Sequence, residues 1–142
     1  MAQSETEARM EAWKRAYEQL NDCSMQQFML VKDAAGYDEQ LLSQVERLSA
    51  QKTELQREIE RIQDLLEREV GADRVKDFFQ RHIRDLAESA RLLTFETARK
   101  IELMMLSKGS ELGGMKARRK AFQAYSGMDY DDQVAMYFDE KK

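Results

Sequence analysis

The side chains able to cut, transfer or ligate are sparse in this chain, and none has a companion. His82 is the single histidine and Cys23 the single cysteine of 142 residues. No HExxH, GxSxG, GxxxxGKS or paired-cysteine spacing occurs, and no glycine-rich phosphate loop follows a strand. With nothing to orient it as a base, a lone histidine on a charged helix reads as solvated. Cys23 cannot form an intramolecular disulfide, which suits a reducing compartment, and it reads as a small helix-face thiol. Carboxylates are spread along the whole chain without a ligand cluster. The expectation is therefore a protein with no catalytic residues, no metal and no cofactor, and not an enzyme.

What remains is the chemistry of recognition. Met25, Met29, Met104 and Met105 are flexible and polarizable, which suits grooves that accept several partners, although methionine fills ordinary bundle cores as well. Lys116, Arg118, Arg119 and Lys120 form a basic cluster that could touch an acidic partner or phosphate, against the plainer reading of a solvated helix face. The chain as a whole carries 23 basic and 27 acidic side chains, net charge -4, so a nucleic-acid binder is disfavoured; such a regulator would show strongly salt-dependent binding.

The elements that must position these residues are helices. Leu41, Val45, Leu48, Lys52, Leu55, Ile59, Ile62 and Leu66 recur at alternating steps of four and three, and seven of these eight are apolar. Glu, Gln, Arg and Ser lie mostly between them, so one stripe seeks a partner helix and the rest seeks water. Lys52 in that seam either marks register or snorkels its stem over a neighbour. There is no proline, only six glycines, and 35% of residues are charged, a composition made for long helices. The fold expected is all-α, an elongated antiparallel three-helix bundle or coiled coil, with helices over about 4–35, 38–70 and 73–108.

Ser4 with Glu7 has capping-box spacing for the first helix, which carries Met10, Trp13, Tyr17, Leu20, Phe28, Val31 and Ala35. Gly36 is the expected left-handed stop, Asp38 the next cap, and Tyr37 a hydrophobic staple. Gly71 closes helix two and Asp73 reopens the pattern. Val75, Phe79, Ile83, Leu86, Ala90, Leu93, Thr97, Ile101 and Met104 then form the stripe of helix three. This helix has apolar excess, because positions 92, 93 and 95 cannot all face one core. Leu93, Phe95, Ile101, Met104 and Met105 are the resulting candidates for binding a partner.

Gly109, Gly113 and Gly114 divide the chain into a bundle, 1–112, and a C-terminal module, 113–142, with a short basic helix from Met115 to Tyr125 and a tail bearing Tyr130, Val134, Met136, Tyr137 and Phe138. No window approaches the ~18 apolar residues of a membrane span, and the first residues are charged with no hydrophobic signal core. A cytoplasmic protein without membrane insertion is expected. Long thin helices bury less than a globule, so a homodimer stays open.

The order of these features resembles the FliT/FlgN-type flagellar export chaperones. GYDEQLLSQVERLSAQKTELQREIERIQDLL (residues 36–66) looks like their central segment, in which a short turn leads into a D-x-x-L helix rich in Arg, Glu and Leu. GMKARRKAFQAYSG resembles their basic run and A-x-x-A-Y close, which falls on Ala121, Ala124 and Tyr125, and AMYFDEKK is similar to their F-D-x-K ending. The resemblance implies a cytoplasmic helical chaperone that binds the aggregation-prone C-terminal helix of a late flagellar protein, either the filament cap or a hook-associated protein, and delivers it to the export machinery. It makes Lys116, Arg118, Arg119, Lys120, Tyr125, Tyr137 and Phe138 candidates for regulation, including autoinhibition, or for docking on the export ATPase or gate components. Gly113 and Gly114 depart from a continuous final helix. A structural coiled-coil adaptor or secretion-stalk protein would use the same heptads and is the alternative.

Overall fold

A computed structural model describes residues 2–107, which form helices joined by short connections with no strand among them: α1 (Ala2–Val31), α2 (Glu39–Val70), α3 (Ala72–Phe78) and α4 (Arg84–Ser107), the last two joined by a π-helical turn, Phe79–Ile83. The C-terminal helix and tail expected over 113–142 lie outside the described residues.

The connections differ in how well local sequence marks them. α1 begins at Ala2, so Ser4 lies inside its first turn instead of capping it. It also ends at Val31, short of the expected Ala35. Val31 is fully buried beside Leu42 and Val45 of α2, and the chain must leave the helix axis there to reach the next cap. Lys32 N still donates to Phe28 O at 2.9 Å and Ala34 N to Val31 O at 3.1 Å. Gly36 does not take up the left-handed backbone; among the described residues that conformation occurs at Gly71 alone. Asp38 caps α2 as expected, its extended backbone (φ -145°) letting Oδ1 accept from Leu41 N at 3.1 Å.

Gly71 both ends α2 and begins α3. Its N–H donates to Glu67 O at 2.9 Å and its carbonyl accepts from Val75 N at 3.3 Å. With φ 89° and ψ 156° it sits in a region essentially reserved for glycine, where a side chain costs roughly 1–3 kcal/mol. A Cβ there would meet nothing within 4 Å, so backbone conformation alone demands the glycine.

The π-helical turn answers a conflict in the hydrophobic pattern. Val75, Phe79, Ile83 and Ala87 are all fully buried at successive steps of four. On a regular α-helix each such step swings the buried face by about 40°, so three of them would carry it off the core. One wider turn absorbs the drift. From Ile83 onward the buried face runs through Ala87, Ala90, Thr94, Thr97, Ile101 and Met104, an alternation of fours and threes, with Ala98 buried beside it. Leu86 and Leu93, expected on the stripe, are consequently only half-buried.

Thr6 Oγ1 donates to Glu69 Oε2 at 2.9 Å and Arg9 pairs with the same carboxylate, tying the start of α1 to the end of α2. Gln27 Nε2 donates to Val45 O at 2.9 Å, tying the end of α1 to the start of α2. Along the third rod, Phe79 lies 6.1 Å from Trp13, Thr94 Oγ1 3.4 Å from Ser24 Oγ, and Ile101 and Met104 pack with Val31. The core has two clusters. One holds Trp13, Tyr17, Leu20, Ile59, Ile62, Leu66, Val75, Phe79 and Ile83; the other holds Val31, Leu42, Val45, Ile101 and Met104. The apolar stripe of α2 is largely consumed here, with Leu42 taking the place expected for Leu41.

Tyr17 sits in the first cluster, and burial, with the Glu60 charge adding to it, pushes its phenol above the ordinary value of 10.0. The folded chain therefore keeps this proton after an unfolded tyrosine has lost it. Its contribution to stability is complete below pH 10.0 and drains away as pH rises further. Urea midpoints should fall between pH 9 and pH 11 (about one unit either side of the unfolded value), and Tyr17→Phe should flatten that fall. An equally steep fall in the phenylalanine variant would contradict this assignment.

Candidate functional site

Three features of the described residues have recognition chemistry: a polar layer inside the bundle, a groove between α1 and α2, and an exposed stripe on α4.

The polar layer separates the two apolar clusters. Lys52 is 4% exposed, and its Nζ donates to Gln27 Oε1 at 3.0 Å and to Thr94 Oγ1 at 2.7 Å. Gln27 Nε2 also donates to Ser49 Oγ at 2.8 Å, and Thr94 Oγ1 donates to Ala90 O at 2.7 Å. The lysine therefore points its head group inward; of the two readings open for it, snorkelling is overturned. Its head group bonds to acceptors on both α1 and α4, so one layer ties the three rods together at a single height.

Between α1 and α2 lies an open groove of about 510 Å³ lined by Met25, Gln26, Met29, Leu30, Gln44, Arg47, Leu48 and Gln51. Met25 and Met29, one turn apart, are both large apolar side chains left exposed. The other methionines singled out by sequence behave differently: Met104 is buried in the second cluster and Met105 packs half-buried against it.

On α4, Leu92, Phe95, Leu103 and Leu106 are each 51–53% exposed. At ~100° per residue they fall within about 80° of one another, so they form one line along the helix. Arg99 lies in the middle of that line, with Glu96 and Glu102 at its two edges. Covering half of a leucine or phenylalanine is worth on the order of 1 kcal/mol, so the stripe offers a helical partner several kcal/mol before ordering costs.

Of the five residues expected to bind a partner, Phe95 is on this stripe. Leu93 and Met105 are half-buried at its flanks, whereas Ile101 and Met104 are buried in the core. The fold uses those two for itself, because they continue the buried alternation set by the π-helical turn. Leu92, Leu103 and Leu106 were not among the five. Their signal was present as steps of 3, 4, 4 and 3 through 92, 95, 99, 103 and 106, a second periodicity offset from the core stripe.

His82 is exposed and its ring lies against that of Phe78, 4.7 Å between centroids and tilted by 46°. Cys23 is buried, its thiol donating to Gln51 Oε1 at 3.7 Å; burial raises its pKa, the Lys52 charge opposes this, and Asp22 adds to the rise. No group of three or more His, Cys, Asp or Glu among the described residues is placed to hold a metal ion. No helix among them is long and apolar enough to cross a membrane. Lys116, Arg118, Arg119, Lys120, Tyr125, Tyr137 and Phe138 lie outside the described residues. No protein-family model, curated protein or solved structure matches the chain.

Proposed function

We propose that this chain is an elongated antiparallel three-helix bundle acting as a cytoplasmic flagellar (type III) export chaperone, without catalysis or a cofactor. It holds the C-terminal helix of a filament cap or hook-associated protein, prevents premature assembly, and aids delivery to the export apparatus. The observation that carries the binding mode is the stripe of Leu92, Phe95, Leu103 and Leu106 on α4, more than half exposed at every position. The flagellar identity rests on the resemblance of residues 36–66, 114–127 and 135–142.

A client helix lays its own apolar face along this stripe, and the residues that would drive its self-assembly are then covered. Arg99, with Glu96 and Glu102 beside it, sets the register by charge at the rim, where such groups act more on specificity than on affinity. The basic cluster Lys116 to Lys120, with Tyr125, Tyr137 and Phe138, contacts the export ATPase or gate in this reading. The coiled-coil adaptor is disfavoured by one observation: Val45, Ile59, Ile62 and Leu66 of the α2 heptad are already buried within the chain.

A light-scattering assay tests the proposal. The chain should suppress aggregation of a cap-protein or hook-associated C-terminal fragment at near-equimolar ratio, and Phe95→Asp/Leu103→Asp should remove most of that protection while keeping the wild-type helical signal and melting temperature. Undiminished protection by the folded double variant would refute the α4 site.

A further inference from the structure

The outward face of α4 has the same order of apolar, acidic and basic residues in both directions. Residues 92–106 follow the pattern L-x-x-F-E-x-x-R-x-x-E-L-x-x-L, in which Leu92 mirrors Leu106, Phe95 mirrors Leu103, and Glu96 mirrors Glu102 about Arg99. This symmetry belongs to the exposed face. On the buried side the corresponding mates are Thr94 with Met104 and Thr97 with Ile101, which differ in kind. A two-fold interface requires a self-complementary patch, in which residue i meets j and j meets i.

We infer that the α4 stripe is the contact between two copies of this chain, laid antiparallel with Arg99 on the two-fold axis. In that register Leu92 meets Leu106 of the second copy and Phe95 meets its Leu103, so all four exposed apolar side chains are covered at both ends. Arg99 lies about 4.5 Å along the axis from the second copy's Glu96 and Glu102, and its guanidinium reaches between carboxylates that would otherwise repel across the rim. The pairing spans one helix of each copy over about 21 Å, a small interface that gives a weak and reversible dimer. It goes beyond the chaperone reading, and where both hold, a client must displace the second copy to reach the stripe.

The register is tested by cysteine pairing in the full chain carrying Cys23→Ser. Arg99→Cys should form a disulfide dimer by itself under mild oxidation, because a residue on the axis faces its own copy. Leu106→Cys alone should not, since its two copies lie about 21 Å apart along the axis. A mixture of Leu92→Cys and Leu106→Cys chains should form the mixed disulfide. Without any cross-link, sedimentation velocity of the wild-type chain should show a dimer fraction rising with concentration, and Arg99→Glu should weaken it by about tenfold or more by leaving only carboxylates at the centre. Self-pairing of Leu106→Cys as efficient as that of Arg99→Cys, or a wild-type chain that stays monomeric at every concentration, would overturn the dimer. Because no client is present, failure here leaves the chaperone reading standing, and loss of client binding with the dimer intact does the reverse.

Discussion

Trp13→Ala should lower the unfolding free energy by about 3–5 kcal/mol, the largest effect expected from a single substitution in this chain. Trp13 is fully buried and is the hub of an aromatic cluster: Tyr17 at 5.9 Å edge-on, Phe78 stacked at 6.2 Å and Phe79 at 6.1 Å. It joins α1 to the junction of α3 with the π-helical turn, so its loss opens a cavity where three segments converge. Its indole Nε1 has no hydrogen-bond partner among the described residues. What is lost is therefore packing and not a bond, and Trp13→Phe should recover most of the stability, leaving a deficit of about 1.5 kcal/mol or less. Urea unfolding followed by circular dichroism measures both variants. Equal losses in the two would place the energy in the indole N–H and contradict this account.

Gln27→Leu should cost about 2–4 kcal/mol, because it removes an acceptor from a buried charged donor. Gln27 joins Lys52 Nζ, Ser49 Oγ and the carbonyl of Val45. Lys52→Met has the converse effect, leaving Gln27 Oε1 without this donor. When both are replaced, the apolar side chains fill the layer with neither group stranded. The double variant should thus be destabilised by less than the sum of the single ones, with a coupling energy of about 1 kcal/mol or more in a double-mutant cycle. Strict additivity would show that the layer does not act as a unit. If the layer fixes register, the double variant should also melt less cooperatively even where its stability is close to wild type.

These two effects mark where sequence reasoning succeeds and where it stops. The apolar stripe of α2, the Asp38 cap and the Gly71 break are local signals: a periodicity, a side-chain oxygen placed to accept a helical N–H, and a residue free to adopt positive φ. Each could be read without knowing what packs against it. The end of α1 could not, because Val31 stops the helix through burial against α2, and Gly36 only looks like the cause. The inward turn of Lys52 was equally hidden, since it depends on Gln27 and Thr94, which lie 25 and 42 positions away in sequence.

The candidate site was half legible for a related reason. Apolar excess on the third rod is visible in its composition, and Phe95 falls outside the apolar stripe of that rod. Assigning Ile101 and Met104 to the same surface required knowing the phase of the helix after residue 83, and the π-helical turn changes that phase. Once Ala87 and Thr94 face inward in place of Leu86 and Leu93, Ile101 and Met104 follow them into the core. Leu92, Leu103 and Leu106 are left outside by the same rotation.

The most direct test of the central claim is calorimetric titration of the chain with C-terminal fragments of flagellar cap and hook-associated proteins, comparing wild type with Phe95→Asp/Leu103→Asp and with Met25→Asp/Met29→Asp. The account predicts micromolar or tighter binding of one fragment, about a hundredfold weaker in the α4 variant and little changed in the variant of the α1–α2 groove. Binding that survives the α4 substitutions but is lost with the methionines would move the client to the groove, and no binding of any fragment to the folded wild-type chain would contradict the chaperone reading itself.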